Sequence, residues 1–376
     1  MRKLYSLLYL WGLLLFSSCE AEYSPISENI YIADAQDVNF KRLTVDDKGG
    51  TTSVVVRMSS PATTEVHASL ISDANVLNEY NKLNGTNFLP LPEHLYSFEQ
   101  NKITINSGKL SSSPIHINVK PYDDSVDESH KYAIPIKLSN AEGTSILEGS
   151  SHLVVLLDKV IVTNILEYTG STIMRYDVEE GDTRTDNLSQ WSLEFLIRCK
   201  KFSVNKHVLS ISEKTSKPLQ QIFCRFGNLD HPTNEIQFKV SDGAPIYGNT
   251  LFTPNRWYHV AFTYDGTNLK LYIDGKLDLT VAHGIPGQIF SWKHFELRPQ
   301  NPGSMSEVRI WSRELSAGEI ANNMYAVNPK SEGLIAYWKI NEGEGTTIHD
   351  YSVNERHFEN IRGTWIPGQR FPENME

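Results

Sequence analysis

Along most of the chain, apolar and polar residues alternate with a period of two, which marks strands with one face in a core and the other in water. Ile115, Ile117 and Val119 stand between polar neighbours, as do Leu193, Phe195 and Ile197, and then Ile236, Phe238 and Val240. This alternation belongs to antiparallel sheets with one solvated face, so the fold class is expected to be all-β. From about residue 25 to 160 it predicts strands near 52–58, 64–69, 103–106, 115–120, 132–138 and 153–162, enough for a β-sandwich. One inserted helix is predicted at about 75–84, where Val76, Leu77, Tyr80 and Leu83 recur at helical spacing and Gly85 supplies a left-handed stop. Pro121, Pro135 and Asp123-Asp124 read as turns or edges. A junction is expected at 160–168, with a second domain over 165–376 that holds every tryptophan except Trp11.

The first residues break the pattern. Arg2 and Lys3 precede an apolar stretch, Leu4 to Phe16, too short to cross a bilayer permanently. Leu14-Leu-Phe-Ser-Ser-Cys19 follows and resembles a bacterial lipoprotein signal, with Phe16 standing where leucine is usual. The resemblance implies a leader of residues 1–18, lipidation of Cys19 at the new N-terminus, and an acidic tether over 19–24. Glu20 and Glu22 resemble the tag that sends such proteins to the outer face of the outer membrane. The alternative is an ordinary secretory leader with Cys19 incidental. On both readings the protein leaves the cytoplasm.

The net charge is −10, and loss of the leader removes two of the cations. Nucleic acid and anionic lipid surfaces both require a basic footprint, so neither is an expected partner. No later apolar run approaches membrane-spanning length, which leaves the lipid as the only membrane attachment. Cys199 and Cys224 fall in predicted strands, and in an oxidising compartment they can be either a disulfide or two buried thiols. Two cysteines without a histidine pair at ligand spacing do not make a zinc site.

Two resemblances add to this reading. Asn75-Val-Leu-Asn-Glu-Tyr-Asn-Lys-Leu-Asn-Gly-Thr-Asn87, with Leu91-Pro-Glu93, Tyr96-Ser97, Ile103-Thr-Ile105 and Tyr132-Ala-Ile-Pro-Ile136, resembles a domain of unknown function at the front of surface lipoproteins from gut anaerobes. Those proteins are encoded in glycan-utilisation loci, and some carry an endo-acting N-glycan hydrolase behind the domain. The resemblance implies a spacer role and no catalytic residue. In the second domain, Trp257-Tyr-His-Val-Ala-Phe-Thr-Tyr264, Leu269-Lys-Leu-Tyr-Ile-Asp-Gly275, Glu307-Val-Arg-Ile-Trp311 and Leu334-Ile-Ala-Tyr-Trp338 resemble the laminin G-like, concanavalin A-like jelly roll. Asp274-Gly275 is a tight hairpin signal, and Ser316 with Glu319 forms a capping box.

That architecture hosts both lectins and glycanases, so the fold leaves the chemistry open. Glycosidic cleavage normally needs two carboxylates across the bond, and related glucanases place theirs as Glu-x-Asp-x-x-Glu on one strand. No such string occurs. Glu179-Glu180, Asp182, Asp186, Glu342 and Glu344 sit among glycines and threonines and read as solvated turns. No catalytic residue is assigned. Nor is a cofactor expected, since laminin G-like domains that hold calcium often read Ile-Asp-Glu where this chain has Met305-Ser306-Glu307, and losing a carboxylate weakens a site for a hard cation. Asp350 and Asp177 are the remaining oxygen donors considered.

Sugars stack their C–H faces on aromatic rings that keep a polar tip. Trp191, Trp257, Trp311 and Trp338 fall at strand positions and read as core, whereas Trp292, Trp365, Tyr247 and Phe252 fall in loop-like stretches and are the glycan-binding candidates. Their polar companions are His283, His294 and Arg298 near Trp292, with Asp242 and Asn249 near Tyr247. The expected function is a non-catalytic surface lipoprotein that binds or presents an oligo- or polysaccharide to outer-membrane uptake proteins. A glycoside hydrolase with acids on separate loops and a protein-binding adhesin are the alternatives.

Overall fold

The computed structural model describes residues 28–46, 48–123, 125–126, 130–213 and 220–373. The predicted leader, Cys19 and the acidic tether lie outside the described residues. The architecture is all-β, as the alternation predicts, with a sandwich followed by a jelly roll.

In the first part, a six-stranded sheet runs Phe40–Val45, His152–Lys159, Tyr132–Glu142, Val66–Ser72 and Lys102–Ile105, with Leu89–Pro90 added beside Tyr132–Glu142. Two three-stranded sheets face it, built on Asn29–Ile32 and on Ile115–Val119. Their inward residues, among them Val56, Ile115, Ile117, Ile134, Ile136, Leu153 and Val155, form one buried core. The helix α1 (Ala74–Asn84) lies on the other side of the large sheet, where Val76, Leu77 and Tyr80 pack on Ala133, Val154 and Leu156. Asp73 caps it by accepting from the Asn75 N–H, and Gly85 ends it at φ 62°. Leu83, expected on the packed stripe, is exposed instead.

Pro135 is also not an edge marker: it lies inside Tyr132–Glu142, opposite Val154, and its carbonyl accepts from the Asp73 N–H. The strand predicted over 153–162 is two strands. His152–Lys159 closes the first part, and Ile161–Tyr168, expected as a junction, already belongs to a jelly-roll sheet.

The jelly roll has two sheets. One has eight strands, ordered Lys276–Ala282, Asn268–Ile273, Trp257–Tyr264, Trp191–Cys199, Gly303–Trp311, Ile161–Tyr168 and Thr364–Phe371, with Leu334–Trp338 beside Gly303–Trp311. The other has six: Met174–Asp177, His294–Leu297, Lys206–Ser212, Gln221–Asn228, His231–Val240 and Ile246–Leu251. They are called the covered and the open sheet below. Trp191, Phe195, Phe238, Phe262 and Trp338 meet between them, and Phe238 stacks on Phe262 at 4.2 Å. The Asp274-Gly275 turn takes positive φ at both residues (50° and 73°), as a tight primed hairpin requires.

Cys199 and Cys224 are free, buried thiols, not a disulfide. They sit on strands of different sheets. Burial pushes the Cys199 thiol up to about 12 and Cys224 well above its ordinary value.

Candidate functional site

On the open sheet, the inward positions are Leu209, Ile211, Ile222, Cys224, Phe226, Ile236, Phe238, Val240, Phe295 and Leu297, all buried in the core. The intervening residues therefore face outward, and strand register lines them into rows. The central row is Arg175, Glu296, Ser210, Phe223 and Lys239. Beside it run His207, Arg225, Gln237 and Tyr247 on one flank and Asp177, His294, Ser212 and Gln221 on the other. A bulge between His207 and Leu209 adds Val208 to the core while keeping His207 outward.

These side chains hold one another in place. The His207 ring stacks on Phe223 at 4.9 Å, and the Arg225 guanidinium lies 5.9 Å from the same ring. Arg225 Nε donates to Gln237 Oε1, and Asn228 Nδ2 donates to the Tyr247 hydroxyl at 3.0 Å. His231 stacks on Tyr247 at 3.5 Å and contacts Glu235 at 2.6 Å. Arg175 pairs with Glu296, and His294 with Asp177, each at 2.5 Å. Burial pushes the His207 imidazole down to about 4, against the pull of Glu296, so the ring is neutral at neutral pH. The result is a half-buried aromatic, Phe223, ringed by planar groups already fixed by partners. Such a surface offers an apolar face to C–H groups and preset donors and acceptors to hydroxyls, with little ordering left to do on binding.

The structure brings together only part of the predicted set. Tyr247, His294 and Arg298 reach this face, Tyr247 with one ring side taken by His231. Trp292 and Phe252 do not: both are buried in the core, Trp292 against Trp191 and Phe252 against Phe226 and Tyr258, so neither ring can meet a sugar. Turn-like neighbours signalled a loop, but both rings belong to the main core. His283 is buried too, on Tyr264 and Gln288. Trp365 is half-buried on the strand Thr364–Phe371 of the covered sheet, Asn249 is tied to Asp278, and Asp242 is exposed beyond the end of His231–Val240. His207, Phe223, Arg225, Gln237, Asn228 and His231 were missed. Phe223 was readable, because Ile222, Cys224 and Phe226 around it claim the inward positions.

The outer face of the covered sheet is built differently. Glu194, His259, Glu307 and Arg309 are all buried there beside Trp311 and Tyr337. Trp311 Nε1 donates to Glu194 Oε2 at 2.9 Å, and His259 Nε2 lies 3.2 Å from Oε1. Arg309 pairs with Glu307 at 2.9 Å and donates to the carbonyls of Asn323 and Met324, while the Tyr337 hydroxyl donates to Glu307 at 2.5 Å. Burial pushes Glu194 upward, but Arg309, His259 and Trp311 pull it below its ordinary value. For Glu307 burial wins, and it stands above its ordinary value. Both carboxylates are enclosed and share Arg309, although Glu194 Oε1 lacks a hydrogen bond among the described residues.

The oxygen donors weighed for calcium are equally occupied. Asp350 accepts from the N–H groups of Tyr337, Ser352 and Arg356 and from the Ser352 hydroxyl, and Ser306 donates to the Lys339 carbonyl. Among the described residues, no group of three or more His, Cys, Asp or Glu is arranged to hold a metal. Asp182, read as a solvated turn residue, holds the fully buried Arg356 at 3.0 Å.

Residues 26–145 match a family profile described as an N-terminal domain. Residues 177–321 match that of the concanavalin A-like lectin/glucanases superfamily. The second part of the chain is a concanavalin A-like jelly roll. A solved structure of a Bacteroides ovatus protein, proposed to be carbohydrate-binding, superposes on 92% of this chain and 100% of its own, with 23% identity and a TM-score of 0.52. EndoBT-3987 of Bacteroides thetaiotamicron, solved with a Man5GlcNAc product, aligns over 35% of this chain and 30% of its own at 24% identity and a TM-score of 0.28. Domain 4 of AbnA, an extracellular arabinanase of Geobacillus stearothermophilus solved with arabinotriose, aligns over 42% and 75% at 15% identity and a TM-score of 0.33. No curated protein matches the chain.

Proposed function

We propose that this protein is a non-catalytic, glycan-binding lipoprotein of the cell surface. The observation that carries the reading is the open sheet face, where Phe223 stands half-buried among His207, Arg225, Gln237 and Tyr247, a chemistry suited to the two sides of a sugar ring. The likeness in fold to a protein proposed to bind carbohydrate, over nearly the whole chain, agrees with it. Cys19 would carry the lipid, the first domain would lift the jelly roll from the outer membrane, and the open face would present glycan to uptake and degradation proteins. No helix among the described residues is long and apolar enough to cross a membrane.

Binding is proposed to need no calcium, since the oxygen donors considered for it are engaged within the fold. The test is glycan-array binding by residues 20–376, with and without chelator, followed by product analysis of each hit. Saturable, chelator-insensitive binding without new reducing ends is the expected result. Cleavage of a bound glycan overturns the non-catalytic reading, and binding only to a deglycosylated protein points to an adhesin.

A further inference from the structure

The cations of the open face are not matched by its carboxylates. Each carboxylate on these strands has a cationic or histidine partner: Glu296 takes Arg175, Asp177 takes His294, and Glu235 takes His231. Among the described residues, Arg225, Lys239 and Arg298 take part in no ion pair. Arg225 spends Nε on the neutral Gln237 and leaves the rest of its planar fork uncommitted. Lys239 stands opposite Phe223 in the register, and Arg298 follows the end of His294–Leu297, on the other side of Lys206–Ser212, where its charge helps to keep His207 neutral. The three cations thus surround the His207–Phe223 stack, in a chain whose net charge is −10.

On the opposite face the fully buried cation is matched, although Arg198 there rests on the Trp257 ring and takes part in no ion pair with the described residues. There, Arg309 is enclosed between Glu194 and Glu307, and the outlying Arg313 is paired with Glu319. Three cations around one half-buried aromatic make a local positive potential that an arriving anion gains from, most where water is partly excluded. A guanidinium fork matches carboxylate and sulfate oxygens two at a time, which neutral hydroxyls cannot reproduce.

We propose that the open face selects acidic glycans, sugar chains bearing carboxylate or sulfate groups, with the ring over Phe223 and the anionic group held by Arg225, Lys239 and Arg298. This rests on the glycan-binding reading above and narrows it. The probes are paired to change charge: polygalacturonate against its methyl ester for carboxylates, and chondroitin sulfate against desulfated chondroitin reduced at its uronates for sulfate and carboxylate together, within an array of neutral, sialylated, uronate-bearing and sulfated glycans. Residues 20–376 are expected to bind acidic members at least about tenfold more tightly than their neutral counterparts, and to lose that preference progressively as salt rises from about 50 to 500 mM. Arg225→Gln/Lys239→Gln/Arg298→Gln, checked for an unchanged melting temperature, is expected to erase the preference. Tight, salt-insensitive binding to neutral glycans overturns the acidic assignment and leaves the glycan-binding function standing. Absence of binding to every glycan overturns that function as well.

Discussion

The two outer faces of the jelly roll are made from the same alternating pattern and end in opposite states. On the covered sheet, the outward residues Glu194, His259, Arg309 and Trp311 lie beneath a segment that includes α2 (Ala317–Asn322), and Arg42 of the first domain reaches over to donate to Asn322. A side chain added at Gly318 would run into the Asn84 carbonyl at the end of α1, so the two domains touch closely here. Deprived of water, Glu194, Glu307 and Arg309 are matched with one another, while Arg198 on the same face lies against the Trp257 ring. On the open sheet Gln237, Ser212, His294 and Glu296 are buried, but Phe223, Arg225 and Lys239 are half-buried and Arg298 is exposed, and unpaired cations are tolerated there. Chemistry that is locked in one place is available in the other, and only the available one can serve a ligand.

The comparison is broken most severely by Arg309→Met. Two buried carboxylates would lose their shared cation, and a loss of about 3–5 kcal/mol in urea unfolding is expected. The parallel Arg225→Met on the open face is expected to stay within about 0.5 kcal/mol. Similar values for the two would mean that the faces do not differ in enclosure.

Acid should act through His207. The unfolded chain takes up a proton in the ordinary histidine range, whereas the folded ring takes none until about pH 4. Stability is therefore complete above that range and falls as pH drops from about 6.5 to 4, by up to about 3 kcal/mol. His207→Gln should flatten this part of the profile, and an unchanged slope would place the titration elsewhere.

A smaller effect is expected from Ser316→Ala, which removes one half of the capping box that starts α2. The cost should be about 1 kcal/mol, with faster amide exchange in the cover over Glu194 and none on the open sheet. Phe223→Ala should cost about 1 kcal/mol or less in stability while weakening glycan binding about tenfold. Retained affinity would move the site away from this face.

Much of this was legible beforehand for a simple reason. Local alternation marks strands because a pleated chain exposes every second residue, and the cap, hairpin and helix-stop signals around Ser316, Asp274-Gly275 and Gly85 depend on residues only a few positions apart. The site was less legible. Trp292 and Phe252 have turn-like neighbours, yet the fold seats them in its main core. Trp257 and Trp311 are buried as anticipated, but behind the covered sheet and outside the main core. No spacing in the chain announces that His207, Phe223, Arg225 and Gln237 meet, because their neighbourhood is set by strand order and by one bulge.

What the amino-acid order determined by itself is the period of each segment, and with it the all-β class, the positions of α1 and α2, and the overall acidity. Tertiary structure decided which face of each strand would be roofed over. That choice turns on contacts between residues far apart in the chain, such as Arg42 with Asn322 and Glu194 with Arg309. The energy of a charge depends on how much water surrounds it, and that is a property of the assembled fold.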